Sequence, residues 1–163
     1  MKICYDPIGF IKTPFKEPKG TPIQPTAAKG IRATIELKEE YSTALQDLAG
    51  FSHIILLYHF HLSKEPSLVI EPFLDGKKHG VFACRAPSRP NPIGISIVRL
   101  IEIDANKITI EDVDILDGTP LLDIKPYVED FDKRDNTRSG WLEGQIGRHH
   151  QVVDDGRFMK KHE

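Results

Sequence analysis

The stretch "GIRATIELKEE", residues 30–40, alternates apolar and polar residues without a slip. Ile31, Ala33, Ile35 and Leu37 share one side, and Arg32, Thr34, Glu36 and Lys38 the other. A period of two over eight residues fits a half-buried β-strand and no helix. Further strands follow in "FSHIILLYHFHL", "GVFACRA", "PIGISIVRLIEID" and "LLDIKPYV". The segment "DANKITIEDVDIL" turns tightly at Asp104–Asn106 and returns as another strand, which makes a hairpin. Only "EEYSTALQDLAGF" has helical spacing, with Tyr41, Ala44, Leu45 and Leu48 on one side and Gly50 as its stop. The absence of strand–helix–strand alternation argues against a doubly wound fold. The expectation is a mainly β chain: an antiparallel β-barrel with one short helix and an irregular C-terminal tail.

At 163 residues the chain suits one domain with a real core. Residues 1–130 are expected to form the barrel. Residues 131–163 form a charged extension, with "SGWLEG" as its aromatic landmark, packed on the barrel or on a second subunit. A net charge of −2 gives no general bias toward nucleic acid or a membrane, though a local basic patch is compatible with it. The longest apolar run, Ile54 to Leu62, is too short to span a bilayer. The opening "MKICYDPIGF" lacks a signal-peptide core, and Cys4 and Cys84 have no metal or redox spacing. A cytoplasmic protein with free thiols is the expectation.

Chemistry has few places to reside. His53, His59 and His61 occupy odd positions and so share a face of one strand. The last two have a spacing that suits a metal, but no carboxylate stands at a telling distance. Cys84 precedes Arg85, which would lower its pKa, yet Cys is also a small core filler and no local base accompanies it. Neither glycine-rich phosphate motif occurs. The "DGTP" turn, Asp117 to Pro120, is an ordinary turn whose Asp is still available to hold hydroxyls or take a proton.

"CRAPSRPNPIG", residues 84–94, is different. Pro87, Pro90 and Pro92 stiffen the backbone before any ligand arrives. Arg85 and Arg89 offer planar forks for carboxylate or phosphate, Asn91 a donor and an acceptor, and Gly94 a close approach to the backbone. Stiffness alone requires none of these polar groups, so the loop reads as a binding loop.

"GVFACRAPSRPNPIGIS" and "VDILDGTPLLDIKPY" resemble the two signature segments of the TrmO family, also called TsaA-like or YaeB-like proteins. "IGFIKTPFKE", "PIQP" and "LAGFSHIILLYHFH" agree, so the resemblance runs in order over residues 6–127. It implies a homodimeric β-barrel that binds S-adenosylmethionine and methylates the exocyclic amine of threonylcarbamoyladenosine beside the tRNA anticodon. Carried over residue by residue, the cofactor site would draw on Ile23, Gln24, Pro25, His61, Leu62, Arg85, Ile95, Asp114, Ile115, Leu116 and Asp117. Arg85 would pair with the cofactor carboxylate, and Arg89 and Asn91 would face the substrate base. Asp117 or His61 would take its proton. No metal is implied.

Departures from the pattern are local. Cys84 and Ala86 stand where Thr and Ser usually flank the first arginine, and His59 where an apolar residue is usual, which weakens the metal reading. Longer bacterial members continue into a further domain, whereas this chain continues only into its tail. Arg134, Arg138, Arg148, Arg157, Lys160 and Lys161 of that tail, with Lys77, Lys78 and Arg89, would supply the basic surface that tRNA requires. Three other readings stay open: another methyl acceptor, a sensing module for the same cofactor, or a metal-dependent barrel enzyme.

Overall fold

In the computed structural model, which describes residues 1–147 and 150–158, six strands close into an antiparallel barrel. They are β1 (Gly9–Lys12), β2 (Arg32–Leu37), β3 (His53–His59), β6 (Ile93–Asp104), β7 (Lys107–Glu111) and β8 (Thr119–Pro126). Around the barrel the order is β1-β2-β7-β6-β3-β8, and β8 pairs back onto β1 through Gly9↔Leu121 and Ile11↔Thr119. Two short strands outside it, β4 (Val69–Ile70) and β5 (His79–Gly80), pair with each other. The mainly β, barrel-like expectation is met.

Alternation fills the interior. Ala33, Ile35 and Leu37 point inward from β2, meeting Ile11, Ile54, Leu56, Val98, Ile108, Ile110 and Leu121 in one core. The β6–β7 hairpin closes with Asp104 opposite Lys107, and Ala105 takes a left-handed φ of 52° in the two-residue turn. Asn106 ties this turn to β2: its side chain donates to the Leu37 carbonyl at 2.7 Å, and its own carbonyl accepts the Leu37 N–H at 2.9 Å.

Two sequence expectations need correction. Residues 39–50 form two 3-10 segments, Glu39–Leu45 and Leu48–Gly50, not one short helix. Asp47, at φ 64°, adopts a left-handed conformation that a continuous helix cannot contain. Leu45, Tyr41 and Leu48 still pack on the core, at the barrel end where β2 finishes and β3 begins. The second correction concerns "GVFACRA". After β5 it becomes a 3-10 turn, Val81–Ala83, and contributes no barrel strand. Val81 and Ala86 instead join Ile70 and Phe158 in a second, smaller core outside the barrel.

The segment after the barrel starts with a single helical turn, α1 (Glu129–Asp132), and then returns over the loops. Pro22 bridges to Val153, and the Trp141 indole N–H donates to the Ala83 carbonyl at 2.9 Å. The Trp141 ring also stacks on His79 with centroids 4.4 Å apart.

Candidate functional site

Strand direction places one end of the barrel at the close of β3 and the openings of β6 and β8. A cavity of about 1120 Å³ occupies this end. Its walls combine the proline loop, the ends of those strands, the residue 21–26 loop and parts of the 139–158 segment.

Most of the expected site residues converge here. Ile23 and Gln24 line the cavity from the first loop, and His61 and Leu62 from just beyond β3. Arg85, Arg89 and Asn91 line it from the proline loop, Ile95 from β6, and Asp114, Ile115 and Leu116 from the segment before β8. Pro25 does not reach the cavity wall; it opens a 3-10 turn and its carbonyl accepts the Ala28 N–H.

Asp117 also lies apart. Its carboxylate accepts the Thr13 N–H at 3.0 Å and pairs with Lys16 at 2.7 Å, beside a shallower basic groove lined by Lys12, Lys16 and Arg32. The Lys16 hydrogen bond holds the Asp117 carboxyl below the usual carboxylate range, which makes it a weak proton acceptor. His61 is better placed for that task. Burial, and then the neighbouring His59, lower its pKa, so the neutral ring is favoured. Its Nδ1 stands 3.5 Å from the Thr119 hydroxyl, whose own proton goes to the Leu116 carbonyl at 2.8 Å. A ring donating from Nδ1 leaves Nε2 as the acceptor.

The proline loop is pinned as its composition implies. Ser88 is 3% exposed and donates to the Phe158 carbonyl at 3.3 Å. Arg89 Nη1 donates to the Cys84 carbonyl at 3.1 Å, and the Ile93 N–H to the Asn91 carbonyl at 2.7 Å. Arg85 reaches Gln24 Oε1 with a longer contact of 3.4 Å. Cys84 packs against the small outer core, and burial raises its thiol pKa against the opposing pull of Arg89. It behaves as a filler, not an activated thiol.

Sequence reasoning missed the polar floor of the cavity. Ser96 donates to Asp114 Oδ1 at 2.7 Å, so the Tyr58 hydroxyl, 3.1 Å away, donates in turn to Ser96. Burial raises the Asp114 carboxyl to about 6, against the Ser96 hydrogen bond and the charge of Arg85. Burial, and then Asp114, push the Tyr58 phenol far above its ordinary range. The Tyr58 ring lies directly over Gly94, where a Cβ would come within 2.2 Å of it. A register shift between Leu57 and Tyr58 in the β3–β8 pairing re-aims the chain at this point. Signals for this floor existed only as a tyrosine in an apolar strand and a glycine in an isoleucine-rich one. His59 and His61 are not part of a metal cluster: among the described residues no group of three or more His, Cys, Asp or Glu side chains is arranged to hold an ion.

Residues 10–133 match the family model described as the tRNA-methyltransferase O N-terminal domain. A probable S-adenosyl-L-methionine-binding protein of Pyrococcus abyssi is 60% identical over 159 residues, covering 98% of this chain and 86% of that one. A tRNA (adenine(37)-N6)-methyltransferase of Mus musculus is 36% identical over 138 residues, covering 80% of this chain and 32% of that protein. The crystal structure of TrmO from Pseudomonas aeruginosa matches with a TM-score of 0.74 and 39% identity, covering 86% of this chain and 63% of that one. The chain thus spans about a third of the mouse protein and under two thirds of the bacterial one.

Proposed function

The chain belongs to the tRNA-methyltransferase O family, and from that premise we propose that its cavity binds S-adenosylmethionine and that it methylates tRNA. The acceptor is the exocyclic amine of adenosine 37, carried as threonylcarbamoyladenosine. One observation supports this reading most: eleven of the thirteen expected site residues, both arginines of the proline loop among them, share a single cavity. The cavity also suits the cofactor chemically, since it pairs apolar walls with a guanidinium for a carboxylate and has no glycine-rich phosphate cradle.

When bound, the cofactor supplies a methyl group on a positively charged sulfur, an in-line leaving group. The protein's task is then positioning. Arg85 would hold the cofactor carboxylate. Arg89, with one N–H held by the Cys84 carbonyl, keeps others for the substrate's threonyl carboxylate. His61 Nε2 would take the proton that the substrate nitrogen gives up on methylation. The neutral state favoured for His61 suits it to this role.

We further propose that the protein works as a homodimer through the outer face of β6. Ile93, Ile95, Ile97 and Ile101 are each 38–50% exposed there. A row of large apolar side chains on one strand face is costly to leave in water. Ile93 and Ile95 also line the cavity, so a second copy on this face would help to wall it.

The function is tested by incubating the protein with labelled S-adenosylmethionine and tRNA from strains with or without the threonylcarbamoyl modification, followed by nucleoside analysis. Methyl transfer to modified tRNA alone is expected. Arg89→Ala should lower that rate by about tenfold or more while leaving cofactor affinity near wild type. Transfer to both tRNAs would remove the threonylcarbamoyl specificity, and transfer to neither would overturn the reading.

A further inference from the structure

The turn that leads into the proline loop, Val81–Ala83, divides its apolar side chains between inside and outside. Val81 is buried in the outer core, whereas Phe82 is 79% exposed. Apart from the N-terminal methionine, no large apolar side chain among the described residues is more exposed. The same ring lines the cavity, so it stands at the opening.

A single exposed apolar side chain on a loose loop needs no explanation. This one stands on a turn that is pinned along its length. The Val81 N–H donates to the Leu68 carbonyl at 2.9 Å, and the Cys84 N–H to the Val81 carbonyl at 3.2 Å. The Trp141 indole N–H holds the Ala83 carbonyl at 2.9 Å. A short, stiff side chain on such a base loses little freedom when a ligand covers it.

The surroundings are cationic. Lys77 and Lys78, both exposed, precede β5 and enter none of the described ion pairs. Arg85 and Arg89 follow on the proline loop and line the cavity with Phe82. Asp75, the acid nearest to Phe82 in the chain, is engaged. Its Oδ1 accepts the Lys77 N–H at 2.8 Å, and its Oδ2 lies 3.4 Å from His79 Nε2. An aliphatic side chain would serve a purely apolar partner as well as a phenylalanine does. A bare aromatic face beside free cations fits single-stranded nucleic acid instead: a base stacks on the ring while adjoining phosphates meet the cations.

On the tRNA-methylation reading above, we infer that Phe82 is a stacking platform for a nucleobase that flanks the methylated adenosine, with Lys77 and Lys78 on the adjoining phosphates. Turning the target base into the cavity unstacks it from its neighbour. The ring at the rim replaces the stacking that the neighbour loses.

Steady-state methylation of an anticodon stem-loop RNA carrying threonylcarbamoyladenosine tests the platform. Phe82→Ala should raise the KM for this RNA by about tenfold and leave calorimetric affinity for S-adenosylmethionine within about twofold. Phe82→Tyr should restore the wild-type KM, whereas Phe82→Leu, apolar but without a π-face, should not. An abasic nucleotide is then placed on the 5′ or the 3′ side of the target. At one of the two positions it should weaken the wild type yet cost Phe82→Ala nothing further. Additive losses at both positions overturn the platform, and so does a wild-type KM for Phe82→Leu. A fall in cofactor affinity in Phe82→Ala would assign the ring to the cofactor. A change in its oligomeric state by light scattering would assign the ring to a contact between protein copies. Both of these results overturn the platform too, while RNA methylation by the wild type stands. Wild-type protein that methylates no RNA overturns the proposed function and the platform together.

Discussion

Ionising the Asp114 carboxyl at the barrel mouth works against folding, because burial outweighs the help from Ser96 and Arg85. Burial pushes its pKa up to about 6 from an ordinary 3.8. The folded state therefore binds the proton more tightly than the unfolded one. The associated stability is fully present below about pH 4 and is lost as pH rises through about 6. Asp114→Asn should thus be more stable than wild type above pH 6, by up to about 3 kcal/mol, with the gap closing toward pH 4. Chemical unfolding of both proteins across that range measures it, and a gap independent of pH would contradict the assignment. Such sacrifice of stability is a mark of a functional group. At this scale the sequence was partly legible. Two long motifs carried Arg85, Asp114 and their neighbours into one cavity, and the shorter "PIQP" and "LAGFSHIILLYHFH" segments added Gln24 and His61. They did not reveal that Asp117 is held by Lys16, nor that Tyr58 and Ser96 support Asp114, because hydrogen bonds between distant strands leave no local pattern.

Among the elements, β6 shows most clearly what alternation does and does not convey. "IGISIVRLIEID" reads correctly as a strand, but period two cannot tell which row faces inward. The isoleucines at 93, 95 and 97 face out, while Gly94, Ser96 and Val98 face in. Bulk alone would suggest the reverse. The inward row is small because it must accommodate the Tyr58 ring. Gly94→Ala would drive that ring off its site and break the Tyr58–Ser96–Asp114 chain. A loss of about 1–3 kcal/mol in urea unfolding is expected, with cofactor affinity falling as well. Unchanged stability would mean that the ring relocates freely. β2, by contrast, was fully legible, since each of its inward positions meets the core directly. The "GVFACRA" segment was not, because Val81 and Ala86 are buried in the outer core and mimic the pattern of a barrel strand.

For the molecule as a whole, the outward isoleucine row is the feature that composition could not disclose. The dimer proposed through this row is one that a charge on that face would split. Ile97→Asp, which lies outside the cavity wall, should shift the protein from dimer to monomer in size-exclusion chromatography with light scattering. A wild-type monomer at micromolar concentration would remove the proposal. The basic surface expected of the tail is only partly realised. Arg157 is bound by both Asp155 oxygens and stacks over Phe73, and Arg134 donates to the Phe131 and Lys133 carbonyls. Arg148, Lys160 and Lys161 lie outside the described residues. Counting cations in a sequence registers charge but not partners, which is why the tail looked freer than it is.

The return of residues 139–158 over the loops orders events during synthesis. The last barrel strand ends at Pro126, ahead of Trp141 and Phe158 in the chain, so once Pro126 has emerged the β-sheet can close while later residues are still inside the exit tunnel. The cavity then lacks the wall that Trp141 supplies and the plug that Phe158 provides for the proline loop. A nascent chain would pass through a stage with its barrel complete and its ligand site unfinished. Competence to bind should therefore appear only after residue 158 emerges, later than the barrel itself.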